Sequence, residues 1–227
     1  MRNTSANSSH LLDISSVTHH DTKDEWVFWY LVPEMTQAKN DQNWSSFLKQ
    51  LTEFHSIEDF WLIFNSVRPI STLPPGCRYY VFRKEDEAHR KIQPLWEDPS
   101  ISGGYEIYNE LAIEIAPAQR GKHFQQFLTE ADEKTHKIAE EYWIDLVLSV
   151  LGIQIKHYDK IIGMEYNHRK NKTDLNKSIL KIGVWTSPLS DDELQEIKEN
   201  LKEIFNLQSQ AAEKDILIKK ISTENPV

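Results

Sequence analysis

Apolar residues recur along this chain with two periods, and each change of period marks an element. Residues 25–32 hold Trp26-Val27-Phe28-Trp29-Tyr30-Leu31-Val32, a short run of aromatic and β-branched side chains that predicts a buried strand. Residues 33–43 are polar and aperiodic, a loop that ends at Trp44. Phe47, Leu48, Leu51 and Phe54 form a second apolar segment, strand or short helix. Ser56 followed by Asp59 is a helix start, because a serine hydroxyl there accepts a backbone N–H that has no helical partner. Ile57, Phe60, Trp61, Phe64 and Val67 then fall at helical spacing, with Trp61 at the margin of the stripe, until Arg68-Pro69 ends the helix. A turn at Leu73-Pro74-Pro75-Gly76 leads to a strand over 79–82, and residues 83–91 are a charged loop. After Gly103-Gly104, the alternation of Leu111, Ile113 and Ile115 predicts a half-buried strand.

Residues 129–151 predict the longest helix, and its second half is apolar nearly all round. Tyr142, Trp143, Leu146 and Val150 form one stripe; Ile144, Val147, Leu148 and Leu151 form another. A helix lying on a sheet needs one apolar face, so the second is covered by more of this chain or left for a partner. Gly152 ends the helix. Residues 161–166 and 179–185 read as paired strands around a basic loop carrying Arg169, Lys170, Lys172 and Lys177, with Lys181 in the second strand. Ser190 caps a helix with Leu194, Ile197, Leu201 and Ile204 inward, and 215–221 is a last strand. Strands and helices mix without strict alternation, which predicts an α+β fold on a largely antiparallel sheet.

Composition narrows the function. The 227 residues fit one large domain or two small ones, and 39% hydrophobic content supplies a core. Residues 1–20, rich in Ser, Asn and Thr, read as a mobile tail in which His10, His19 and His20 lack partners at metal-ligand spacing. Residues 21–227 are expected to form a single domain. With 26 Lys and Arg against 35 Asp and Glu, the net charge of −9 argues against a grip on long nucleic acid but leaves room for a short anionic ligand. The lone Cys77 forms no internal disulfide and no cysteine zinc site. No leader and no long apolar run is present, so a cytoplasmic location, with the nucleus as an addition, and no membrane contact are expected. Seven Trp are more than a core of this size requires, which suggests that some are stacking surfaces.

One of these is Trp96, in Gln93-Pro94-Leu95-Trp96-Glu97-Asp98-Pro99. Prolines on both sides stiffen the loop. An indole face attracts cations, and a neighbouring carboxylate accepts paired N–H groups, so Trp96 and Glu97 suit a flat, cationic, N–H-bearing ring. The alternative is a buried loop Trp beside an exposed acid. Catalytic signatures are thin: there is no Gly-rich phosphate loop, His-Glu-x-x-His helix or Gly-x-Ser-x-Gly elbow, and Glu97 and Asp98, being adjacent, point apart. The chain reads as a binder, not an enzyme, with no cofactor and no metal.

In their joint order, Trp26-Val27-Phe28-Trp29, Asn43-Trp44, Ile57-Glu58-Asp59-Phe60-Trp61, Pro75-Gly76-Cys77, Leu95-Trp96-Glu97-Asp98, the 143–152 run and Lys181-Ile182-Gly183-Val184-Trp185-Thr186 resemble the eukaryotic initiation factor 4E family of messenger-RNA cap-binding proteins. The likeness runs from about His20 to Ile221. It implies a curved, mainly antiparallel sheet with about three helices on its convex face. It also implies a monomer that binds the 7-methylguanosine cap and brings mRNA to the initiation machinery. Trp44 and Trp96 look like the indoles that sandwich the methylated base, Glu97 like the carboxylate that accepts its donors, and Trp185 like the indole near the methyl group. Arg169 and Lys181 match the phosphate-binding pair. His20, Ile57, Trp61, Ile144, Asp145 and Leu148 align with the surface that takes an amphipathic helix from a factor 4G-like scaffold or a 4E-binding repressor.

The chain also departs from the pattern. Asp145 stands where Glu is usual, and Asp21 where Pro is usual. The loops before Trp44 and Trp96 and the basic loop are long. The segment 105–109 reads as inserted, so that Glu106 or Leu111 replaces the Trp expected after the Gly pair. Two other readings remain open: a cap-binding repressor that does not recruit the scaffold, against which Trp44 weighs, and a carbohydrate- or nucleotide-binding module or hydrolase that uses the Trp platforms on another ring.

Overall fold

Strand β1 (Asp21–Leu31) shows how the sheet is divided. Trp26 and Phe28 enter one apolar cluster, Leu31 another, and Trp29 packs on the second. Side chains alternate across a strand, so these are the two faces of one sheet. The same split runs through β3 (Arg78–Arg83), where Tyr79 and Val81 join the first cluster and Tyr80 and Phe82 the second. The structure, a computed structural model, describes residues 19–32, 47–114, 130–174, 177–207 and 215–222.

Among the described residues there are seven strands and three α-helices. The remaining strands are β2 (Leu48–Ser56), β4 (Tyr105–Glu114), β5 (Ile161–Lys170), β6 (Lys177–Thr186) and β7 (Leu217–Lys220). They form one curved, open, antiparallel sheet in the order β2-β1-β3-β5-β6-β4-β7. The segment that sequence left as strand or short helix is therefore β2, an edge strand whose residues 49–53 are exposed. The expected last strand is the other edge, and all four residues of β7 are exposed.

The helices are α1 (Ile57–Ser66), α2 (Glu130–Leu151) and α3 (Asp191–Ile204). Phe60 and Ile63 from α1, Trp143, Leu146 and Val150 from α2, and Ile197 and Leu201 from α3 all belong to the first cluster, so the helices share one face of the sheet. Ser56 accepts the Asp59 N–H and caps α1. Ser190 and Glu193 form a reciprocal capping box at the start of α3. Helix α2 ends as expected, with the Gly152 N–H donating to the Leu148 carbonyl at 2.9 Å, but the left-handed residue after it is Ile153, not the glycine. Its second stripe divides: Val147 and Leu151 are core, while Ile144 and Leu148 are half-buried. Leu151 thus leaves the surface expected to face a partner. No described helix is long and apolar enough to cross a membrane.

Strand β4 pairs with β6 without a break from Glu106 opposite Trp185 to Glu114 opposite Lys177. Residues 105–109, read from the sequence as inserted, are thus the first half of this strand. The register also separates the two candidates for the missing Trp. Leu111 faces the helices, and Glu106 faces the bare side of the sheet.

Candidate functional site

On the face away from the helices, β5, β6, β4 and β7 floor a cleft of about 640 Å³. Trp96 stands at one side of it, Arg169, Lys170 and Lys172 at another, and Lys219 and Lys220 on the β7 edge. The loop that carries Trp96 is anchored from below by the buried Ile92 and Ile101. Asp98 pins it: its carboxylate accepts the N–H groups of Gln93 and Ser100, each at 2.9 Å. The acid beside Glu97 therefore shapes the loop and has no place in the cleft lining.

Trp96 is half-exposed. Its indole N–H donates to Glu106 Oε1 at 3.0 Å, and the Lys219 ammonium lies 4.3 Å from the ring centroid. A cation already sits against this indole, which is the interaction a cationic base would use. Trp44 lies outside the described residues.

The floor is charged and buried. Lys181, at 6% exposure, places Nζ 2.6 Å from Glu106 Oε2 and 2.9 Å from Glu165 Oε2. The same ammonium is 4.4 Å from the Tyr108 ring centroid. Glu165 is buried too, and accepts from Asn167 Nδ2 at 3.1 Å and from Trp185 Nε1 at 3.3 Å. Arg78 Nη1 approaches its other oxygen at 3.9 Å. Burial opposes charge on both groups of the central pair. For Lys181 the carboxylates of Glu165 and Glu106 outweigh it and raise the pKa above the ordinary lysine value. For Glu165 the Lys181 and Arg78 cations outweigh it and lower the pKa. Register explains the convergence: Gly183 lies opposite Tyr108 on one side and Glu165 on the other. A Cβ on Gly183 would come within 2.4 Å of the Tyr108 Cβ, so a glycine is required for the aromatic to lie there.

The other expected site residues are distributed as follows. Arg169 lines the cleft, its side chain 41% exposed and ion-paired with Glu110. Lys181 lines it as well, with its ammonium paired to two carboxylates. Trp185 is buried on the same face of the sheet beside the floor, edge-on to Tyr80 and Phe82 at 6.2 and 5.6 Å, and does not line the cleft. Glu97 is exposed and not among the lining residues. Sequence reading missed Arg78, Tyr108, Glu165 and Lys219. Glu165 is the one charge among residues 161–166, which was the available signal.

On the helical side, Trp61 is half-buried, 5.7 Å from Phe60 and 5.6 Å from Phe64 between ring centroids. The Ile57 N–H donates to the His20 carbonyl, and the ring and backbone N–H of His20 hold the Glu58 carboxyl down to about 2. Asp145 is exposed, with its pKa raised by partial desolvation and then by Glu141. With Leu148, Ser149, Gln154 and Ile204 it lines a shallow depression between α2 and α3.

One open antiparallel sheet, helices on its convex face and a Trp-flanked, ion-floored cleft on the other side define an α+β protein built to present the bare face of its sheet. The family model for Eukaryotic initiation factor 4E matches residues 21–216, and the chain belongs to that family. Among curated relatives, the eukaryotic translation initiation factor 4E of Candida albicans is 28% identical over 207 residues, 86% of this chain and 83% of that protein. The factor of the same name from Dictyostelium discoideum is 27% identical, with 83% of this chain matching 61% of that protein. For initiation factor 4E-1 of Caenorhabditis elegans the values are 29%, 75% and 64%. The match thus spans less than two thirds of the latter two relatives. Among solved structures, the Ascaris suum eIF4E-3 complex with m7G cap superposes with a TM-score of 0.63 at 22% identity, covering 92% of this chain and 95% of that one. The Caenorhabditis elegans eIF4E-3 complex with the 4E-binding protein Mextli gives 0.60 at 22%, covering 86% and 90%. At these identities the two structures establish a shared fold.

Proposed function

We propose that this protein binds the 7-methylguanosine cap of mRNA and serves translation initiation as a binding protein of the cytoplasm rather than an enzyme. The observation that carries the proposal is Trp96, held by Glu106 at the side of a cleft with a cationic rim, its ring drawing a cation even without ligand. N7-methylation makes guanine cationic, so an indole gains both stacking and cation–π attraction from that base. Trp44 supplies the second indole and Glu97 accepts the guanine N–H donors. Trp185 backs the site from beside the floor. Phosphates fall on the rim, where Arg169, Lys170 and Lys172 stand together. Residues 21–227 form the binding domain, with His20 bonded to the start of α1.

The convex face is the second half of the proposal. Trp61 and Ile57 on α1, next to His20, and Ile144, Asp145 and Leu148 on α2 receive an amphipathic helix from a scaffold or a 4E-binding repressor. The support is their partial exposure beside a filled core. Retention on immobilised 7-methyl-GTP tests the main reading: the protein is expected to elute with free 7-methyl-GTP and not with GTP. Elution by both alike, or no retention, overturns it.

A further inference from the structure

The floor of the cleft links two indoles through charges. Trp96 donates to Glu106, Glu106 and Glu165 both accept from Lys181, and Trp185 donates to Glu165. The links run from the Trp96 loop through β4 and β6 to β5, so one ammonium ties three neighbouring strands and a loop together. We infer that Lys181 is a positioning residue, which fixes the carboxylates that orient Trp96 and Trp185, and that the cap phosphates are left to Arg169, Lys170 and Lys172. The inference rests on the cap-binding reading and refines it.

Three observations support it. An ammonium has three N–H donors, and two of those on Lys181 are taken at 2.6 and 2.9 Å. The Tyr108 ring centroid lies 4.4 Å from the same ammonium. To reach a phosphate, Lys181 would have to leave two carboxylates, 3% and 2% exposed in their side chains, with only the longer contacts of Lys219 to Glu106 and of Arg78 to Glu165, each 3.9 Å, and thinning the compensation of buried charge is unfavourable. Arg169, by contrast, pairs with one carboxylate, Glu110, and keeps 41% of its side chain in solvent, and Lys170 and Lys172 are exposed. None of the three holds the Glu106 and Glu165 carboxylates. An indole has few torsions, so one hydrogen bond to a carboxylate that is itself fixed on a strand is enough to set its plane.

The test compares Lys181→Met, the double variant Glu106→Ala/Lys181→Met and Arg169→Ala in the full chain. The double variant removes one charge of each sign, so Glu165 keeps Arg78 and Asn167 and folding is protected. Affinities for 7-methyl-GTP and 7-methyl-GMP are measured beside the indole N–H resonance of Trp96 in the unliganded protein. Lys181→Met and the double variant are expected to lose about tenfold on both ligands alike, the scale of one weakened base stack. Both are also expected to move the Trp96 resonance. Arg169→Ala is expected to lose more on the triphosphate. A several-fold larger loss on 7-methyl-GTP than on 7-methyl-GMP in Lys181→Met or in the double variant overturns the inference, as does an unmoved Trp96 resonance in Lys181→Met. Failure of the unaltered protein to bind either ligand overturns the cap-binding reading instead, while the resonance still decides whether the network holds the indole.

Discussion

Lys181 and Arg169 line one cleft, yet burial gives them different characters. Taking a charge out of water costs several kcal/mol unless partners compensate. Lys181, at 6% exposure, has those partners in fixed places and is part of the scaffold. Arg169 has one carboxylate partner, Glu110, and keeps 41% of its side chain in solvent. The same distinction separates the tryptophans. Trp185 is 2% exposed and braced by two rings, whereas Trp96 presents its ring to the cleft. Trp96→Ala is therefore expected to cost about 1–3 kcal/mol in 7-methyl-GTP binding, and Trp44→Ala about the same, because each removes one stacking face. Fluorescence titration measures both, and unchanged affinity in either variant removes that residue from the site.

At the scale of elements, the ends are well specified and the faces less so. Helices α1 and α3 begin where Ser56 and Ser190 say they should, because a cap is a local hydrogen bond. The two apolar stripes of α2 were legible as excess, but which residues the sheet would take was not. The sheet took Val147 and Leu151 and left Ile144 and Leu148 half-buried. Trp61 has the same intermediate status on α1, packed on the core with one side open. Aromatic side chains dominate helix-in-groove contacts. Trp61→Ala is accordingly expected to abolish co-purification of a factor 4G-like protein while leaving retention on 7-methyl-GTP intact, since the cleft is on the opposite face of the sheet. A variant that melts early and loses both activities together would show that Trp61 serves the core.

The molecule as a whole is stabilised at one place by an uncharged imidazole. His168 is fully buried in β5, with Nδ1 donating to the Leu73 carbonyl and Nε2 accepting from the Ser178 hydroxyl, each at 2.9 Å. It ties the turn before β3 to the centre of the sheet. Desolvation lowers its pKa from 6.5 to about 4. The unfolded chain takes up the proton near pH 6.5 and the folded chain only near pH 4. The contribution to stability is therefore complete above about pH 6.5 and is lost as pH falls toward 4, on the order of 3 kcal/mol in all. Urea unfolding of the native protein and of His168→Gln from pH 7 to 4 checks this. The native protein is expected to lose more stability over that range, and parallel curves would place the acid sensitivity elsewhere.

Sequence by itself determined the central strands, the caps of α1 and α3, the α+β class and the family likeness, because those depend on periodicity, caps and the order of short motifs, while it left β2 undecided and missed the first half of β4. It also singled out Trp96, since two prolines and an adjacent acid are local facts. Tertiary structure decided what the floor of the cleft is made of. Glu106 and Glu165 are far apart in the chain and become neighbours of Lys181 only through the registers of β4, β5 and β6. Which of two basic residues is spent on internal carboxylates, and which of two apolar stripes is covered, depends on burial. Burial is set by everything that packs around a residue, and no spacing along the chain encodes it.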